Sequence, residues 1–304
     1  MENFLNIGNT SVRNINKLHN DVFIKMENEN PTGSIKDRSV WYMVKDILDS
    51  SKTENKFVHF VIASSGNAGI SLAYLCKILN HKCTIFVSKD IEDPKYRILK
   101  KLEAQVIKCS GETSTLPGGW VYESLKFYNE LGSINKHYID QFDNKLNIEA
   151  HYASTAPEIF SYFKKRSKPL DYIFLGIGSG GTAVGIQKYI DEHNYPTKVI
   201  VCDPIGGIIY DSYYDHDAEY VDHNIEAISD SFIPNNVDNL NQFYEVIRMS
   251  DSIVYDGRTQ LLKDAQVLSG DVASFVYASM IEYIKSHNLK DKTMLLLNTE
   301  EGFR

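Results

Sequence analysis

The sequence contains no uninterrupted apolar run approaching the ~20 residues that a membrane-spanning helix needs. Its first four residues also lack the charged-then-apolar pattern of a secretion signal. Only four cysteines occur in 304 residues, and their spacing fits neither a metal site nor a redox pair. Each cysteine lies in or beside an apolar run, so we expect buried, reduced thiols and a cytoplasmic location.

The sequence also lacks an excess of basic residues. Its net charge is -8 with a pI near 5.6, and the lysines and arginines do not cluster into one run. This charge argues against a nucleic-acid partner. Internal repeats and low-complexity stretches are absent, while 304 residues suffice for one large or two moderate domains with apolar cores. The composition therefore fits a soluble enzyme.

Strand-like apolar runs alternate with helix-like segments along most of the chain. This alternation predicts an α/β protein whose parallel sheets are covered by helices. The predicted strands lie near 57–63, 83–87, 105–109, 171–176, 199–202 and 293–297. The predicted helices include 67–79, 94–103, 119–131, 181–192 and 272–287.

One lysine stands at the entrance of a further helix, in the segment Asn30–Arg38. Lys36 follows a Pro-Thr-Gly turn, and Ser34 and Asp37 have the spacing of a capping box. A lysine fixed in a first helical turn can form an imine with an aldehyde cofactor. A solvated surface lysine is the alternative that this segment alone leaves open.

Two turns rich in glycine follow predicted strands and open helices. The first, Ser64–Gly69, has the backbone N–H groups and helix N-terminus that favour a carboxylate or phosphate. A tight turn with an ordinary serine cap is the alternative for this segment.

The second turn, Gly176–Thr182, combines four glycines with two hydroxyl side chains, which suits a phosphate. Asp203 follows the next predicted strand, so a dinucleotide or nucleoside site is the alternative. The glycine spacing departs from the G-x-G-x-x-G pattern of such sites, since residues 180 and 181 are both glycine.

Taken in this order, the three segments resemble the pyridoxal-phosphate enzymes of the β family, also called fold type II. Cysteine synthase and cystathionine β-synthase are the most similar members, and the resemblance covers nearly the whole chain. Further segments that match the family are Ile7–Thr10, Gln141–Phe142, Ala150–Ile159 and Phe232–Pro234.

The resemblance implies a tryptophan synthase β-like fold made of two parallel-sheet, helix-covered domains. A small, mobile domain at 41–144 would bind the substrate carboxylate, and residues 1–40 and 145–304 would form the large domain. The cofactor, pyridoxal 5'-phosphate, would lie in the cleft between the domains. Family members also suggest a homodimer with an amino-acid substrate and no metal.

The resemblance also assigns roles to individual residues. Lys36 would bind the cofactor covalently and shuttle the α-proton, and Asn67 would hydrogen-bond the cofactor ring. The substrate carboxylate would be held by Ser64, Ser65, Gly66, Asn67 and Gln141. The cofactor phosphate would be held by Gly178, Ser179, Gly180, Gly181 and Thr182. A structural role is expected for His151.

Two positions depart from the family pattern. Asp230 replaces a small residue in Ala227–Pro234, which resembles the family's G-I-G-A-G-F-I-P, and is a candidate general base. A solvated loop aspartate is the alternative. Asp271 aligns with a serine that contacts the pyridine nitrogen in the family. A shifted alignment places Ser269 there instead, with Asp271 as the N-cap of a helix from Val272.

These features predict β-elimination or β-replacement on a β-substituted amino acid. We favour L-cysteine and water giving L-serine and hydrogen sulfide through an aminoacrylate, as in the bacterial cysteine (hydroxyl)lyase branch, because of Asp230. The first alternative is a cysteine synthase that uses O-acetyl-L-serine or O-phospho-L-serine with sulfide. The second is a nucleotide-binding regulatory protein.

Overall fold

The computed structural model describes residues 5–50, 57–64, 66–111, 115–132 and 135–302. The chain divides into two compact units. The small unit comprises Lys36–Leu146, and the large unit comprises Met1–Ile35 and Asn147–Phe303. The domain range expected from the family resemblance, 41–144, lies inside the small unit.

Ten strands occur in the described residues. They are β1 (Val12–Lys17), β2 (Asn20–Lys25), β3 (His59–Ala63), β4 (Lys82–Ser88), β5 (Gln105–Cys109), β6 (Lys136–Ile139), β7 (Tyr172–Leu175), β8 (Lys198–Pro204), β9 (Glu245–Met249) and β10 (Thr293–Leu297).

The same residues form ten α-helices. They are α1 (Lys36–Ser50), α2 (Asn67–Ile78), α3 (Asp93–Lys101), α4 (Trp120–Glu130), α5 (Lys145–Ala150), α6 (Ala156–Lys164), α7 (Gly181–Glu192), α8 (Ile209–Tyr213), α9 (Val254–Ala265) and α10 (Asp271–Ser286). A π-helix, His151–Thr155, joins α5 to α6. None of these helices has the length and apolar character that a bilayer crossing requires.

The small unit contains a four-stranded parallel sheet in the order β5-β4-β3-β6. Four of the five residues of β3 and five of the seven of β4 are buried. Continuous burial of this kind is expected where helices cover both faces of a parallel sheet. It explains why apolar runs rather than alternating patterns predicted these strands.

The large unit contains a six-stranded sheet in the order β1-β2-β10-β7-β8-β9. Residues of β10 point alternately to two apolar cores, because side chains alternate across a strand. Met294 and Leu296 belong to the core that includes α10, while Leu295 and Leu297 belong to the core that includes α6 and α7. Helices therefore cover both faces of this sheet, and the α/β prediction is confirmed.

The alternation of strands and helices predicted wholly parallel sheets, but the large sheet is not wholly parallel. Its edge strand β1 pairs with β2 in an antiparallel hairpin. The turn between them, Leu18 and His19, has positive φ at both residues (49° and 61°). Hairpin turns of this geometry usually carry Asn or Gly, so the sequence offered no signal for this one.

All four cysteines are free and buried, as predicted from the apolar runs around them. They are Cys76, Cys83, Cys109 and Cys202. Burial raises the pKa of the Cys202 thiol well above its usual range, so this side chain behaves as an apolar core residue.

Candidate active site

Lys36 is the first residue of α1 and is partly exposed. The segment before it is held by backbone pairing, since Ser34 forms a bridge with Glu300 and the Ile35 N–H donates to the Thr299 carbonyl at 2.8 Å. The predicted capping role of Ser34 is wrong. Its hydroxyl is buried and has no hydrogen-bond partner in the described part of the chain.

Asp37, the residue after Lys36, ties the start of α1 to α2. The Ser71 hydroxyl donates to a carboxylate oxygen of Asp37 at 2.6 Å, and both side chains are almost fully buried. Ser71 lies about one helical turn beyond Asn67, the first residue of α2. The contact therefore links the first turns of the two helices that carry Lys36 and Asn67.

The turn after β3 is organised by the Ser64 hydroxyl. This oxygen accepts hydrogen bonds from the N–H groups of Gly66 (3.3 Å) and Gly69 (3.2 Å), and Gly66 is the N-cap of α2 without a side-chain cap. A Cβ on Gly69 would lie 3.0 Å from both the Ser64 carbonyl oxygen and a methyl carbon of Ile85. Ser65, a predicted carboxylate ligand, lies outside the described residues.

Gln141 lies at the same edge of the small sheet as Ser64. The strands β3 and β6 are parallel neighbours, with Ile62 opposite Ile139. Ser64 and Gln141 each follow these paired residues by two positions, so both lie just beyond the carboxyl ends of adjacent parallel strands. Two of the predicted carboxylate ligands thus follow neighbouring strands of one sheet.

In the large unit, the turn between β7 and α7 is a tightly packed glycine loop, residues 176–182. Gly180 is the N-cap of α7 with φ of 83°, a conformation that favours glycine. A Cβ on Gly178 would lie 2.0 Å from the Ala227 carbonyl oxygen, and one on Gly181 would lie 2.1 Å from Asn147 Oδ1. Side chains are therefore excluded at these two positions.

Two asparagines that sequence reasoning missed hold this glycine loop in place. Asn147 donates to the Ser179 hydroxyl at 3.0 Å, and Asn236 donates to the Ser179 carbonyl at 2.9 Å. Both asparagines are 1% exposed. Buried amides with defined partners fix the loop without supplying charge. No local pattern identifies them, because each is far from the loop in sequence.

The donor set of the glycine loop fits a phosphate group. The loop leads into the N-terminus of a 12-residue helix whose cap residue offers no side-chain oxygen. It carries the hydroxyls of Ser179 and Thr182 and contains no acidic side chain. Backbone N–H groups, a helix dipole and hydroxyl donors together favour an anion.

Asp230 lies on a second loop of the large unit, which runs along the glycine loop. The Ser229 N–H donates to the Ile177 carbonyl at 2.8 Å, and a methyl carbon of Ile228 lies 2.9 Å from a Cβ built on Gly176. Asp230 is partly exposed and accepts a hydrogen bond from the Ser231 N–H at 2.7 Å.

The backbone of this second loop departs from the usual conformations of L-residues. Ala227 and Ser229, which stand where the family pattern has glycine, have φ of 68° and 51°. His223 supports the loop from one side. Its Nε2–H donates to the Ser229 carbonyl at 3.0 Å, while its Nδ1 accepts from the Ile225 N–H at 3.3 Å. These bonds assign His223 as the neutral Nε2–H tautomer.

Other ionisable groups also lie near Asp230. Burial raises the pKa of Tyr220 to about 12, and the carboxylates of Asp222 and Asp230 add to this shift. Burial also raises the pKa of Asp203 at the end of β8, against the opposing effects of the Ser229 hydroxyl and the Tyr210 N–H. Asp230 therefore shares its surroundings with a tyrosine held in its neutral form.

Asp271 is the first residue of α10, and Gly270 is the N-cap. The alternative in which Asp271 itself caps the helix is therefore wrong. Its carboxylate forms an ion pair with Arg258 of α9. Ser269 is fully buried, and its hydroxyl lies 2.8 Å from that of Ser274. Ser269 and Asp271 therefore both have side-chain partners within the large unit.

Comparisons with known proteins agree with this geometry. A model of the family described as pyridoxal-phosphate dependent enzyme matches residues 4–300. A cysteine synthase of Buchnera aphidicola subsp. Schizaphis graminum is 28% identical over 310 residues, covering 100% of this chain and 93% of that protein. A cystathionine beta-synthase of Saccharomyces cerevisiae is 27% identical over 293 residues, covering 92% of this chain and 57% of that protein.

A crystal structure of O-ureido-L-serine synthase superposes with a TM-score of 0.87 at 21% identity, covering 97% of this chain and 90% of that one. The predicted fold and the predicted cofactor are thereby confirmed, and the nucleotide interpretation of the glycine loop is not needed. Because the family match extends over nearly the whole described chain, the protein belongs to the pyridoxal-phosphate dependent enzymes and is cysteine synthase-like.

Proposed function

We propose that the protein converts L-cysteine and water into L-serine and hydrogen sulfide. The observation that carries this proposal is the position of Asp230, a partly exposed carboxylate on a loop packed along the glycine loop. In the net reaction the Cβ–S bond breaks and a Cβ–O bond forms. No oxidant or reductant is required, because water supplies the hydroxyl group and sulfide leaves as H₂S.

The cofactor is proposed to be held at two points. Lys36 bonds to its aldehyde carbon, and the N–H and hydroxyl groups of Gly178–Thr182 bind its phosphate. When bound, pyridoxal phosphate withdraws electrons from the amino acid and makes the α-proton acidic. Ser269 is proposed to hydrogen-bond the pyridine nitrogen, and Asn67 the ring hydroxyl.

The substrate carboxylate is proposed to bind at the edge of the small sheet. Ser64 and Gln141 follow adjacent parallel strands there, and Asn67 opens the helix after the Ser64 turn. Ser65 and Gly66 complete the predicted set. A carboxylate at a helix N-terminus is stabilised by the dipole, which orients the α-carbon for proton removal by Lys36.

Asp230 is proposed to act after sulfide has left. A carboxylate near the β-carbon accepts a proton from water as the new C–O bond forms. A small non-ionisable residue, which the family pattern has here, provides no such base. The loop geometry supports this role because the His223 and Ile177 hydrogen bonds fix the backbone on the N-terminal side of Asp230.

Cysteine synthesis from O-acetyl-L-serine or O-phospho-L-serine and sulfide is the second candidate. It is favoured by the cysteine synthase relatives, which match at 28% identity over the full chain. Sulfide is already a nucleophile and needs no general base, so this reaction leaves Asp230 without a role.

Product analysis separates the two candidates. Purified enzyme is incubated with L-cysteine alone, or with O-acetyl-L-serine plus sulfide, and serine, cysteine and sulfide are quantified. We expect serine and sulfide in equal amounts from cysteine. Asp230→Ala should still release sulfide but form serine about 10²–10⁴-fold more slowly, the usual contribution of one general base. Serine formation at the wild-type rate in this variant would favour cysteine synthase.

Asp230→Asn provides a matched control, because the amide keeps the shape of the side chain and its acceptor for the Ser231 N–H. If the loop conformation alone matters, Asp230→Asn should behave like wild type. If the base matters, Asp230→Asn should be as slow in serine formation as Asp230→Ala.

A further inference from the structure

One face of the helix that runs from α5 through the π-helix into α6 supports the glycine loop. Asn147, His151 and Thr155 recur every four residues along it and are all buried. Helix α7 approaches this face closely at two glycines. A Cβ on Gly181 would lie 2.1 Å from Asn147 Oδ1, and one on Gly185 would lie 2.8 Å from the His151 Cβ and 2.6 Å from the Ile148 carbonyl oxygen.

His151 occupies the centre of this face and is 2% exposed. Its Nδ1 lies 2.9 Å from the Thr155 hydroxyl oxygen, and its Nε2 lies 3.2 Å from the Thr182 hydroxyl oxygen. The imidazole therefore connects a fully buried threonine to the last residue of the glycine loop. Both contacts are compatible with two neutral tautomers, which differ in the direction of every hydrogen bond.

The two tautomers have different consequences for Thr182. If Nε2 accepts, the Thr182 proton points at His151 and is not available to a bound anion. If Nε2–H donates, the Thr182 oxygen is the acceptor and its proton is free for a phosphate oxygen. In this arrangement Nδ1 is the acceptor for the Thr155 hydroxyl, so the imidazole both donates and accepts one hydrogen bond.

We propose that His151 is a positioning residue that holds the Thr182 hydroxyl as a donor to the cofactor phosphate, through the Thr155 O–H···Nδ1 and Nε2–H···Thr182 hydrogen bonds. This inference rests on the proposed phosphate role of the glycine loop. A hydroxyl directed at a phosphate makes a charge-assisted hydrogen bond, which is stronger than a neutral one.

Binding of pyridoxal phosphate to the apo-protein, measured by equilibrium dialysis, tests this proposal without reference to turnover. Thr182→Val should weaken binding by about 10- to 100-fold, the range of one charge-assisted hydrogen bond. His151→Leu should weaken it comparably. The double variant should lose no more than about two-fold beyond Thr182→Val, because the two residues act through one hydrogen bond.

His151→Gln is the conservative variant, since its amide N–H can replace the Nε2–H donor and should recover most of the affinity. The ¹⁵N shifts of His151 in the wild-type holoenzyme provide a measurement that needs no variant, and should show a protonated Nε2 and an unprotonated Nδ1. The tautomer is thereby tested even if His151→Leu fails to fold.

An unprotonated Nε2 in the holoenzyme, or single losses that multiply in the double variant, would overturn the role of His151. In either case Thr182→Val would still bind the cofactor weakly, so the phosphate assignment would stand. Wild-type affinity in Thr182→Val would instead refute the contribution of Thr182 to phosphate binding, on which the inference rests.

Discussion

The side-chain oxygen of Asn147 occupies the space that a Cβ of Gly181 would need, since the two atoms would be only 2.1 Å apart. The same asparagine donates to the Ser179 hydroxyl at 3.0 Å. One buried amide thus sets both the backbone position and a side-chain rotamer of the glycine loop. The absence of a side chain at Gly181 is therefore a packing requirement.

Gly181→Ala should displace Asn147 and reduce affinity for pyridoxal phosphate. We expect a loss of about 1–3 kcal/mol in the free energy of unfolding, the usual cost of overpacking a buried site. Urea denaturation and cofactor titration measure the two effects. Gly132→Ala is the control, because no atom lies within 4 Å of the position that a Cβ would take there, and its stability should stay within about 0.5 kcal/mol of wild type.

Lys36→Ala should abolish the visible absorbance of the bound cofactor, because no other amine is proposed to bond to the aldehyde carbon. Absorbance spectra of protein purified with added pyridoxal phosphate provide the measurement. Lys45→Ala, on the same helix, should retain the band. An unchanged spectrum in Lys36→Ala would refute the central assignment of the active site.

Ala227→Gly should stabilise the protein. Ala227 is exposed and has φ of 68°, a conformation that costs an L-residue about 1–2 kcal/mol. Glycine removes this cost, but the greater entropy of its unfolded chain offsets about 0.4–1 kcal/mol of it. A net increase of up to about 1.6 kcal/mol in the free energy of unfolding is therefore expected in urea denaturation. Ala218→Gly, at another exposed loop position, should instead destabilise the protein. A change in the free energy of unfolding in the same direction for both variants would contradict this account.

Asp203 should give the protein a characteristic pH dependence. Burial raises its pKa above the unfolded value, so the folded state binds more protons than the unfolded state between the two values. The contribution of Asp203 to the free energy of unfolding is complete at pH values below its pKa in the unfolded state, about 3.9. This contribution is lost as the pH rises through the raised pKa of the folded state. Relative to Asp203→Asn, wild type should therefore lose stability as pH rises above about 4.

Urea denaturation of both proteins at several pH values measures this difference. The asparagine keeps an acceptor for the Tyr210 N–H, which bonds Asp203 Oδ2 at 3.0 Å, so the comparison isolates the charge. A wild-type protein that gains stability relative to Asp203→Asn with rising pH would show that ionised Asp203 is favoured by the fold.

Ser269 and Asp271 should differ in their effect on the cofactor. Asp271→Ser removes the ion pair with Arg258 and should lower the free energy of unfolding by at most about 1 kcal/mol, since both side chains are more than one third exposed. Its cofactor spectrum should match wild type. Ser269→Ala should shift the absorbance of the bound cofactor. A shifted spectrum in Asp271→Ser together with an unchanged spectrum in Ser269→Ala would instead indicate that Asp271 contacts the pyridine nitrogen.

Hydrophobic runs predicted the central strands well, because strands buried on both faces need apolar residues throughout. The run near 293–297 matches β10 residue for residue, and the run near 83–87 lies within β4. The edge hairpin β1–β2 was missed because its outer strand is largely polar, and its turn lacks glycine. Local runs of apolar residues indicate burial, and an exposed edge strand contains few such residues.

The residues of the candidate site also fall into those that local sequence patterns predicted and those that they did not. Lys36, the Ser64 turn and the glycine loop were predicted because each carries its chemistry in a short segment. Asn147, His151 and Asn236 contact loop residues that are 31 to 57 positions away in sequence, and only the tertiary packing brings them together. Asn147 and His151 share their spacing with many ordinary helical residues, so the sequence alone does not distinguish them.

The π-helix at His151–Thr155 contains one residue that a regular helix joining α5 to α6 would not need. A π turn closes its hydrogen bond over five residues instead of four, so it contains one residue more than the α-helix that could replace it. Deleting that residue would let the helix continue regularly with Asn147 still directed at α7, whereas the same deletion within α6 would rotate Asn147 by about 100° relative to the rest of that helix. A one-residue deletion, harmless in most surface loops, would therefore detach the support of the glycine loop from α7 if it fell in α6, but not if it removed the extra residue of the π turn.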